Sequence, residues 1–237
     1  MSEKQDFYSE NRATDIMETG SSYQYLLSLL KAWRVKKFLD IGCGDGSFTK
    51  AVRETCHCKV EGVEISSKSV QEAKDRGISA QVVDLDETDL PFPDESFDCV
   101  FCGYIIEHLY SPDHMLEEVH RVLKSGGKII VSTANLASWF NRLSLLLGYQ
   151  PIFSDVSLKH SFGHLWKMEP MGHLRLHTYD ALRKLIRVYG FKIVAVKGLG
   201  ISDRFGFGKA HPYLIKCLNF VFQKPSLCSH IIISGTK

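Results

Sequence analysis

The residues of this chain best suited to chemistry form a glycine-spaced loop, Asp40-Ile41-Gly42-Cys43-Gly44-Asp45-Gly46. The apolar run that begins at Phe38 leads directly into it, which predicts a strand, a tight turn and the start of a helix. Glycines let the backbone of such a turn approach a ligand closely, and the N–H groups of the helix start can donate to it. Nucleotide cofactors of several kinds use loops of this type, so the loop alone does not choose between them.

Two acids at predicted strand ends narrow the choice of cofactor. Glu64 lies at the end of the strand after the loop, where a carboxylate can accept hydrogen bonds from both hydroxyls of a ribose. Asp84 follows the next strand, where a carboxylate can accept from the exocyclic amine of adenine. Because an acid at the first position also suits NAD, an NAD-dependent oxidoreductase stays open at this point.

Alternating strands and helices must position these residues. Strands are predicted at 37–41, 59–65, 79–83, 97–104, 128–133, 191–197 and 230–234, and helices at 21–33, 47–54, 67–76, 111–123 and 178–189. Lys124-Ser125-Gly126-Gly127 is predicted as a tight turn into the fifth strand. This order is typical of an α/β, doubly wound sheet in one domain over 1–237, whose N-terminal part, 1–36, is a helical segment.

Two segments, 134–176 and 198–225, interrupt this alternation. The first mixes aromatic side chains with histidines, and the second carries an apolar helix near 212–222. Segments that follow the carboxyl ends of strands border the ligand crevice of an open α/β sheet, so both are predicted to form a lid over the acceptor. The apolar helix either packs against the sheet and lid or lies at an interface with lipid.

The bulk composition is that of an ordinary globular chain. Of 237 residues, 44% are hydrophobic and 24% charged, with a formal net charge of +2. The sequence has no basic stripe that would indicate nucleic-acid binding. It also has no apolar run that would indicate a signal peptide or a membrane span. Seven cysteines then favour reduced thiols and a cytoplasmic location, and Cys56-His57-Cys58 lacks the second ligand pair of a zinc site. Peripheral membrane contact and the oligomeric state stay open.

With these motifs together, the chain resembles the class I S-adenosylmethionine (SAM)-dependent methyltransferases, and most closely the broad group that contains the ubiquinone- and menaquinone-biosynthesis enzymes. The resemblance covers about 38–131 and 178–196, and includes the runs 89–100 and 123–127. It implies a Rossmann-like seven-stranded sheet with six parallel strands and one antiparallel strand. It also implies SAM as the cofactor. The alternatives are an NAD-dependent oxidoreductase and a SAM-binding regulatory protein without turnover.

The resemblance also implies a role for each motif. The loop holds the methionine part of SAM, the acid after the second strand holds the ribose, and the acid after the third strand flanks the adenine. The end of the fourth strand lies beside the reactive sulfonium. The implied cofactor residues are Asp40, Gly42, Cys43, Gly44, Gly46, Glu64, Ile65, Asp84, Leu85, Cys102 and Gly103.

Candidate catalytic residues lie in Tyr104-Ile105-Ile106-Glu107-His108-Leu109. His108 is either a general base or a structural residue beneath the cofactor, and Tyr104 is the second candidate. The quinone O-methyltransferases and small-RNA 2′-O-methyltransferases that this segment resembles carry Glu-x-x-Glu-His here, linked to a divalent metal. This chain has Tyr104 in place of the first Glu and Leu109 in place of the RNA enzymes' second His. These two replacements leave too few ligands for a metal ion, so no metal is expected.

Candidate acceptor residues precede the helix predicted at 178–189. Alternation places His173, Arg175 and His177 on one face, where they could bind an anionic acceptor or an enolate. A polar outer face next to an N-cap at Thr178 is the alternative. Trp139 is a further candidate. The sequence therefore predicts methyl transfer to a small-molecule acceptor, preferably a hydrophobic one such as a quinone, a lipid or a sugar-lipid.

Overall fold

Seven strands form one mixed sheet in the computed structural model, which describes residues 21–165, 168–199 and 224–237. They are β1 Lys37–Ile41, β2 Lys59–Glu64, β3 Ser79–Val82, β4 Phe97–Gly103, β5 Leu123–Ala134, β6 Lys192–Leu199 and β7 His230–Thr236. Their order is β3-β2-β1-β4-β5-β7-β6, and β7 runs antiparallel to both of its neighbours. The predicted sheet of six parallel strands and one antiparallel strand is confirmed.

Six helices surround the sheet in the described part of the chain. They are α1 Ser21–Ala32, α2 Ser47–Cys56, α3 Ser67–Asp75, α4 Pro112–Val122, α5 Trp139–Leu146 and α6 Tyr179–Val188, with a short 3₁₀ helix at Ile106–His108. The side chains of Ser66, Ser111, Ser138 and Thr178 accept hydrogen bonds from N–H groups in the first turns of α3, α4, α5 and α6. Such caps are visible in a sequence, and the predicted helix ends differ from the observed ones by only one or two residues.

Helices cover both faces of the sheet because successive strand residues point to opposite sides. On one face, Val100 and Cys102 of β4 belong to a buried cluster with residues of α4 and α6. On the other face, Cys99 and Phe101 pack in a second cluster with residues of α1, α2 and α3. This three-layer arrangement leaves the strand ends as the places where polar side chains can meet.

The prediction that β5 begins only after a turn at Lys124–Gly127 is wrong, because β5 already begins at Leu123. Leu123 pairs with Phe97, and the next pair joins Lys128 to Cys99. The residues between Leu123 and Lys128 therefore form a bulge within β5, and Gly126 in it has a left-handed φ of 74°. The local chemistry of a turn is present, but the neighbouring strand keeps the segment in the sheet.

The two predicted insertions are described to different extents. The first, 134–176, contains α5 and then irregular backbone, with only residues 166 and 167 outside the described part. Most of the second, including the predicted apolar helix at 212–222, lies outside the described residues, as do residues 1–20. Their role as a lid stays a prediction. No helix of the described residues has the length and apolar character needed to cross a bilayer.

Candidate active site

The glycine loop joins β1 to α2, and its glycines are required for different reasons. Gly42, Gly44 and Gly46 all have left-handed φ angles, of 75°, 53° and 78°. A Cβ on Gly46 would lie 2.9 Å from the Cβ of Ala73, so close packing against α3 excludes a side chain there. A Cβ on Gly44 would meet no atom within 4 Å. The loop is therefore closed on its α3 side and open at Gly44.

Asp40 is buried directly before this loop. Its Oδ2 accepts a hydrogen bond of 2.6 Å from the Thr49 hydroxyl of α2. Burial raises the pKa of Asp40 to about 7, the Thr49 hydrogen bond opposes that rise, and the charge of Glu64 adds to it. A cationic group placed beside Asp40 would therefore favour its ionised form.

Glu64 ends β2 and connects it to the glycine loop. Its Oε2 accepts the N–H of Gly44 at 3.1 Å, and its Oε1 accepts the N–H of Ser66 at 3.0 Å. Burial raises the pKa of Glu64, and these backbone hydrogen bonds oppose the rise. An ionised carboxylate offers about four acceptor positions, and these two bonds leave capacity for a pair of hydroxyl groups.

The adenine-side candidates lie next to Glu64. The N–H of Val83 donates to the carbonyl of Glu64 at 3.0 Å, so the chain leaves β3 at the same edge of the sheet. Asp84 Oδ1 accepts the N–H of Asp86 at 3.0 Å, and Leu85 is buried. A carboxylate and an apolar side chain thus follow each other beyond β3, as an adenine site needs.

Cys43 is a buried thiol beneath the loop. A Cβ on Gly62 would lie only 2.7 Å from its Sγ, so the sulfur packs directly against β2. Burial raises the pKa of the Cys43 thiol far above its ordinary value, and the charges of Asp40 and Glu64 raise it further. The thiol is therefore protonated and unreactive in the folded protein.

The end of β4 brings the candidate catalytic segment against the loop. Cys102 pairs with Ile41, so the segment after Gly103 leaves the sheet beside Gly42. A Cβ on Gly42 would lie 3.2 Å from Cδ1 of Ile105. The residues that follow β4 therefore lie next to the proposed methionine end of the cofactor site.

Tyr104 occupies a strained backbone position there. Its φ is 54°, in the left-handed region that a bulky residue rarely adopts. Its N–H donates to the carbonyl of Ser132 at 2.9 Å, and its ring packs edge-on against His230 at 5.6 Å between centroids. Burial raises the pKa of the Tyr104 phenol, and the nearby charge of Glu107 adds to the rise. The phenol is thus a poor proton acceptor, which weighs against a role for it as a base.

Glu107 is a buried carboxyl next to His108. It has no exposed surface, and neither oxygen has a hydrogen-bond partner of ordinary geometry among the described residues. Burial raises the pKa of Glu107 to about 7, whereas its own N–H, the Thr133 hydroxyl and the Ala134 N–H favour the ionised form. A fully buried carboxyl that titrates near neutrality is typical of a functional group rather than a packing residue.

Two imidazoles complete a cluster with this carboxyl. Nδ1 of His108 lies 3.1 Å from the carbonyl of Gly172, and Nδ1 of His173 lies 2.8 Å from the carbonyl of Phe153. A ring nitrogen that faces a carbonyl carries the proton, so Nε2 of each ring keeps a lone pair. One ligand atom from each of Glu107, His108 and His173 lies within 4.8 Å of the others.

This cluster could hold a divalent cation or bind a proton-bearing acceptor atom, since a carboxylate and two imidazoles suit either task. No second group with metal-binding geometry occurs in the described ranges, and Cys56-His57-Cys58 forms none. The prediction of no metal rests on the segment from Tyr104 to Leu109, and His173 adds a potential ligand from outside that segment. It stays a prediction, now with three potential ligands to account for.

The predicted alternation at 173–177 is wrong. The N–H groups of Leu174 and Arg175 both donate to the carbonyl of Glu107, at 2.8 and 3.0 Å, which an extended strand does not allow. The Arg175 guanidinium is exposed and donates to the carbonyl of Tyr110 at 3.2 and 3.0 Å. Nδ1 of His177 is buried without a hydrogen-bond partner in the described part of the chain. Only His173 therefore joins the cluster.

Trp139 starts α5 and stacks on Phe140, with 3.6 Å between ring centroids. Its backbone N–H donates to the carbonyl of Leu227 at 3.1 Å. This bond holds the start of α5 against the segment that precedes β7. These contacts explain the position of Trp139 by packing. A contact between Trp139 and an acceptor stays a prediction.

Comparison with known proteins decides the family. The methyltransferase-domain family model matches residues 39–131. The demethylmenaquinone methyltransferase of Geobacillus stearothermophilus is 31% identical over 175 residues, which are 68% of this chain and 73% of that protein. The ubiquinone biosynthesis O-methyltransferase of Idiomarina loihiensis is 30% identical over 180 residues, 71% of this chain and 70% of that protein. The chain belongs to the class I SAM-dependent methyltransferases.

Solved structures agree with the fold of this methyltransferase. A SAM-dependent methyltransferase of Mesorhizobium loti superposes with a TM-score of 0.62 at 19% identity, covering 92% of this chain and 99% of that one. Two further curated relatives are matched over only 48% and 36% of their own lengths. The cofactor of the family is SAM, and the alternative of an NAD-dependent oxidoreductase is removed.

The residues present fit this cofactor. The open space at Gly44 leaves room for a group lying across the loop. Glu64 keeps acceptor capacity for a diol, and the buried carboxyl of Asp40 lies where a cationic amino-acid group would be favoured. Asp40, Glu64 and the glycine loop would thus hold SAM, and the segment after β4 would face its reactive end.

Proposed function

We propose that this methyltransferase transfers a methyl group to an oxygen of a small, largely apolar acceptor of the phenol or hydroquinone kind. The observation that carries the proposal is the cluster of Glu107, His108 and His173. Glu107 and His108 belong to the segment that follows β4, in which Ile105 lies against Gly42 of the glycine loop. The two relatives described above are named for methylation in menaquinone and ubiquinone biosynthesis, which supports the same acceptor class.

The chemistry of the transfer determines what the protein must provide. Bound SAM supplies a methyl group on a positively charged sulfur, and its departing thioether needs no acid. The protein has to align the acceptor behind that methyl group, exclude water and remove the proton of a hydroxyl acceptor. The cluster offers acceptors for this proton at Nε2 of His108, at Nε2 of His173 and at the Glu107 carboxylate.

A row of rings beside the cluster suits a flat, apolar acceptor. Tyr104 packs on His230 at 5.6 Å, His230 contacts Phe153 at 5.3 Å, and Phe153 contacts His173 at 6.1 Å between ring centroids. His173 in turn lies 4.7 Å from His108. The rings therefore continue from the end of β4 to the polar cluster. Such a row of rings, with polar groups at one end, suits an acceptor that has a flat apolar body and one polar group.

Methyl transfer from radiolabelled SAM tests the proposal. The acceptors are a short-prenyl catechol, its di-O-methyl ether, a free sugar and a structured RNA, with SAM binding measured separately by calorimetry. We expect label in the catechol alone, and less of it with Glu107→Gln, while SAM binding persists. Label in the sugar or the RNA would show the acceptor class to be wrong. SAM binding without label in any acceptor would support a regulatory protein.

A further inference from the structure

A cationic cavity lies at the edge of the sheet opposite the glycine loop. It has a volume of about 590 Å³ and lies where β1 and β2 begin, at Lys37 and Lys59, and where α1 and α2 end. The glycine loop and Glu64 lie at the other ends of these same two strands. The cavity is therefore separate from the candidate active site.

Positive charge is concentrated around this cavity. Six lysine and arginine side chains line it: Lys31, Arg34, Lys36, Lys37, Lys59 and Lys124. One carboxylate, that of Asp98, is present among its described lining residues. Because the whole chain has a formal net charge of only +2, this imbalance is local. A concave surface lined by one sign of charge focuses its field on a ligand of the opposite sign.

The carboxylate of Asp98 is already used within the fold. Its Oδ2 accepts the N–H groups of Lys36 and Lys37, at 3.1 and 2.8 Å, and its Oδ1 accepts the Lys124 ammonium at 2.7 Å. The Lys37 ammonium lies 3.8 Å from Glu61. Two of the six cations therefore have acidic partners.

The other four cations have no acidic partner within the described ranges: Lys31, Arg34, Lys36 and Lys59. Lys59 is also directly paired with Lys37 on the neighbouring strand, an arrangement of like charges that costs stability. Attraction to the carboxyl end of α1 accounts for Lys31, which lies in its last turn, but not for Lys36 or Lys59. Lys36 and Lys59 thus contribute charge to the cavity without an acidic partner or a helix end among the described residues.

Two helix endings form part of the cavity wall. Arg34 and His57 follow α1 and α2 with left-handed φ angles of 53° and 51°, at positions where glycine or asparagine is usual. Both residues line the cavity. These two helix endings turn the chain so that both side chains border the cavity.

We propose that this cavity binds a small molecule that carries several phosphate groups. Its volume is that of a small-molecule site, and four unpaired cations match the charge of a di- or triphosphate. Among the described lining residues there is no Phe, Tyr or Trp on which a nucleic-acid base could stack, and no exposed apolar side chain that could enter a membrane. A compact polyanion therefore fits better than a nucleic acid or a lipid surface.

Calorimetry with inorganic tripolyphosphate tests the proposal, at about 50 mM and about 300 mM salt. The double variant Lys36→Ala/Lys59→Ala removes two unpaired cations from the cavity. Lys68→Ala/Lys74→Ala removes the same charge from the exposed side of α3 and is the matched control. SAM binding and thermal unfolding of both variants verify that the fold and the cofactor site are unchanged.

We expect tripolyphosphate to bind more tightly than orthophosphate. The cavity variant should weaken the binding of tripolyphosphate about tenfold or more, and the control variant should leave it unchanged. No binding at low salt, or equal losses in the two variants, would overturn the proposal. Phosphatidylserine vesicles or a single-stranded oligonucleotide that bound through the same two lysines more tightly than tripolyphosphate would also overturn it, in favour of a macromolecular partner. None of these outcomes depends on methyl transfer.

Discussion

The N–H of Gly44 donates to Oε2 of Glu64 across 3.1 Å, which joins the loop after β1 to the last residue of β2. This bond orients the carboxylate from one side and keeps the open part of the loop at a fixed distance from it. The second oxygen is held by Ser66, so both oxygens of Glu64 are oriented before any ligand arrives. Such preorganisation reduces the entropic cost of binding a diol.

Replacement of Glu64 should weaken the binding of SAM. We expect Glu64→Gln to lower the affinity by about 1–3 kcal/mol, because an amide offers fewer acceptor positions and no charge. Calorimetry with SAM measures the change. Glu61→Gln on the same strand, whose carboxylate lies by Lys37, is the control and should leave the affinity unchanged. Equal affinities of the native and Glu64→Gln proteins would contradict the ribose role.

The affinity for SAM should rise with pH because of Asp40. The folded protein holds the pKa of Asp40 at about 7, so the carboxyl is largely protonated below that value and ionised above it. A cationic ligand favours the ionised form, and the affinity should therefore increase between about pH 6 and pH 8. Titration calorimetry across this range measures the effect. Asp40→Asn should abolish the increase, and an increase of the same size in this variant would refute the assignment.

Gly46→Ala and Gly44→Ala should fail in different ways. Gly46→Ala places a Cβ 2.9 Å from Ala73 at a left-handed φ, and we expect a loss of about 2–4 kcal/mol in the free energy of unfolding. Gly44→Ala meets no protein atom, so its loss should stay near the strain alone, about 1–2 kcal/mol, while SAM binding falls. Urea denaturation and calorimetry separate the two. Equal destabilisation would show that Gly44 is also packed.

His173 and Arg175 should differ in their effect on methyl transfer. His173 lies in the cluster with Glu107, whereas the Arg175 guanidinium is exposed and bonds the carbonyl of Tyr110. We expect His173→Asn to lower kcat by about 10²-fold or more with SAM binding retained, on the scale of losing a proton acceptor. Arg175→Lys should change kcat little. A larger loss with Arg175→Lys would restore the acceptor role predicted from the sequence.

Chelation separates the two tasks that the cluster could perform. If Glu107, His108 and His173 act by accepting a proton, methyl transfer should persist after dialysis against EDTA, because proton transfer between these groups needs no metal. The measurement is kcat before and after dialysis, with SAM binding as the control for folding. Loss of activity that Mn²⁺ or Zn²⁺ restores would contradict the prediction of a metal-free site.

Local patterns explain which parts of the structure could be predicted. β1 was predicted to the residue, because an apolar run bounded by Lys37 and the glycine loop leaves little choice of ends. The N-cap at Thr178, one of two alternatives for this segment, is confirmed, and it could be inferred because its hydroxyl acts only on the next turn of α6. The strand-end positions of Asp40 and Glu64 follow from the same short-range signals.

Long-range contacts explain what could not be predicted. His173 reaches Glu107 because two consecutive N–H groups, of Leu174 and Arg175, bond one carbonyl far away in the sequence. A period of two in polarity cannot reveal such a bond, so His173 and Arg175 were placed on the same face. The bulge at the start of β5 was missed for a related reason, since the pairing of Leu123 with Phe97 depends on the partner strand.

The buried thiol of Cys43 can report how often the glycine loop opens. The sulfur packs between the glycine loop and Gly62 with its pKa far above the ordinary range, so an alkylating reagent can reach a reactive thiolate only when the loop separates from β2. The rate of Cys43 alkylation, followed by mass spectrometry of the peptide that contains it, therefore reports the frequency of that opening. A ligand that bridges Gly44 and Glu64 slows the modification in proportion to its occupancy, so cofactor binding can be followed without a dye, a label or a known acceptor.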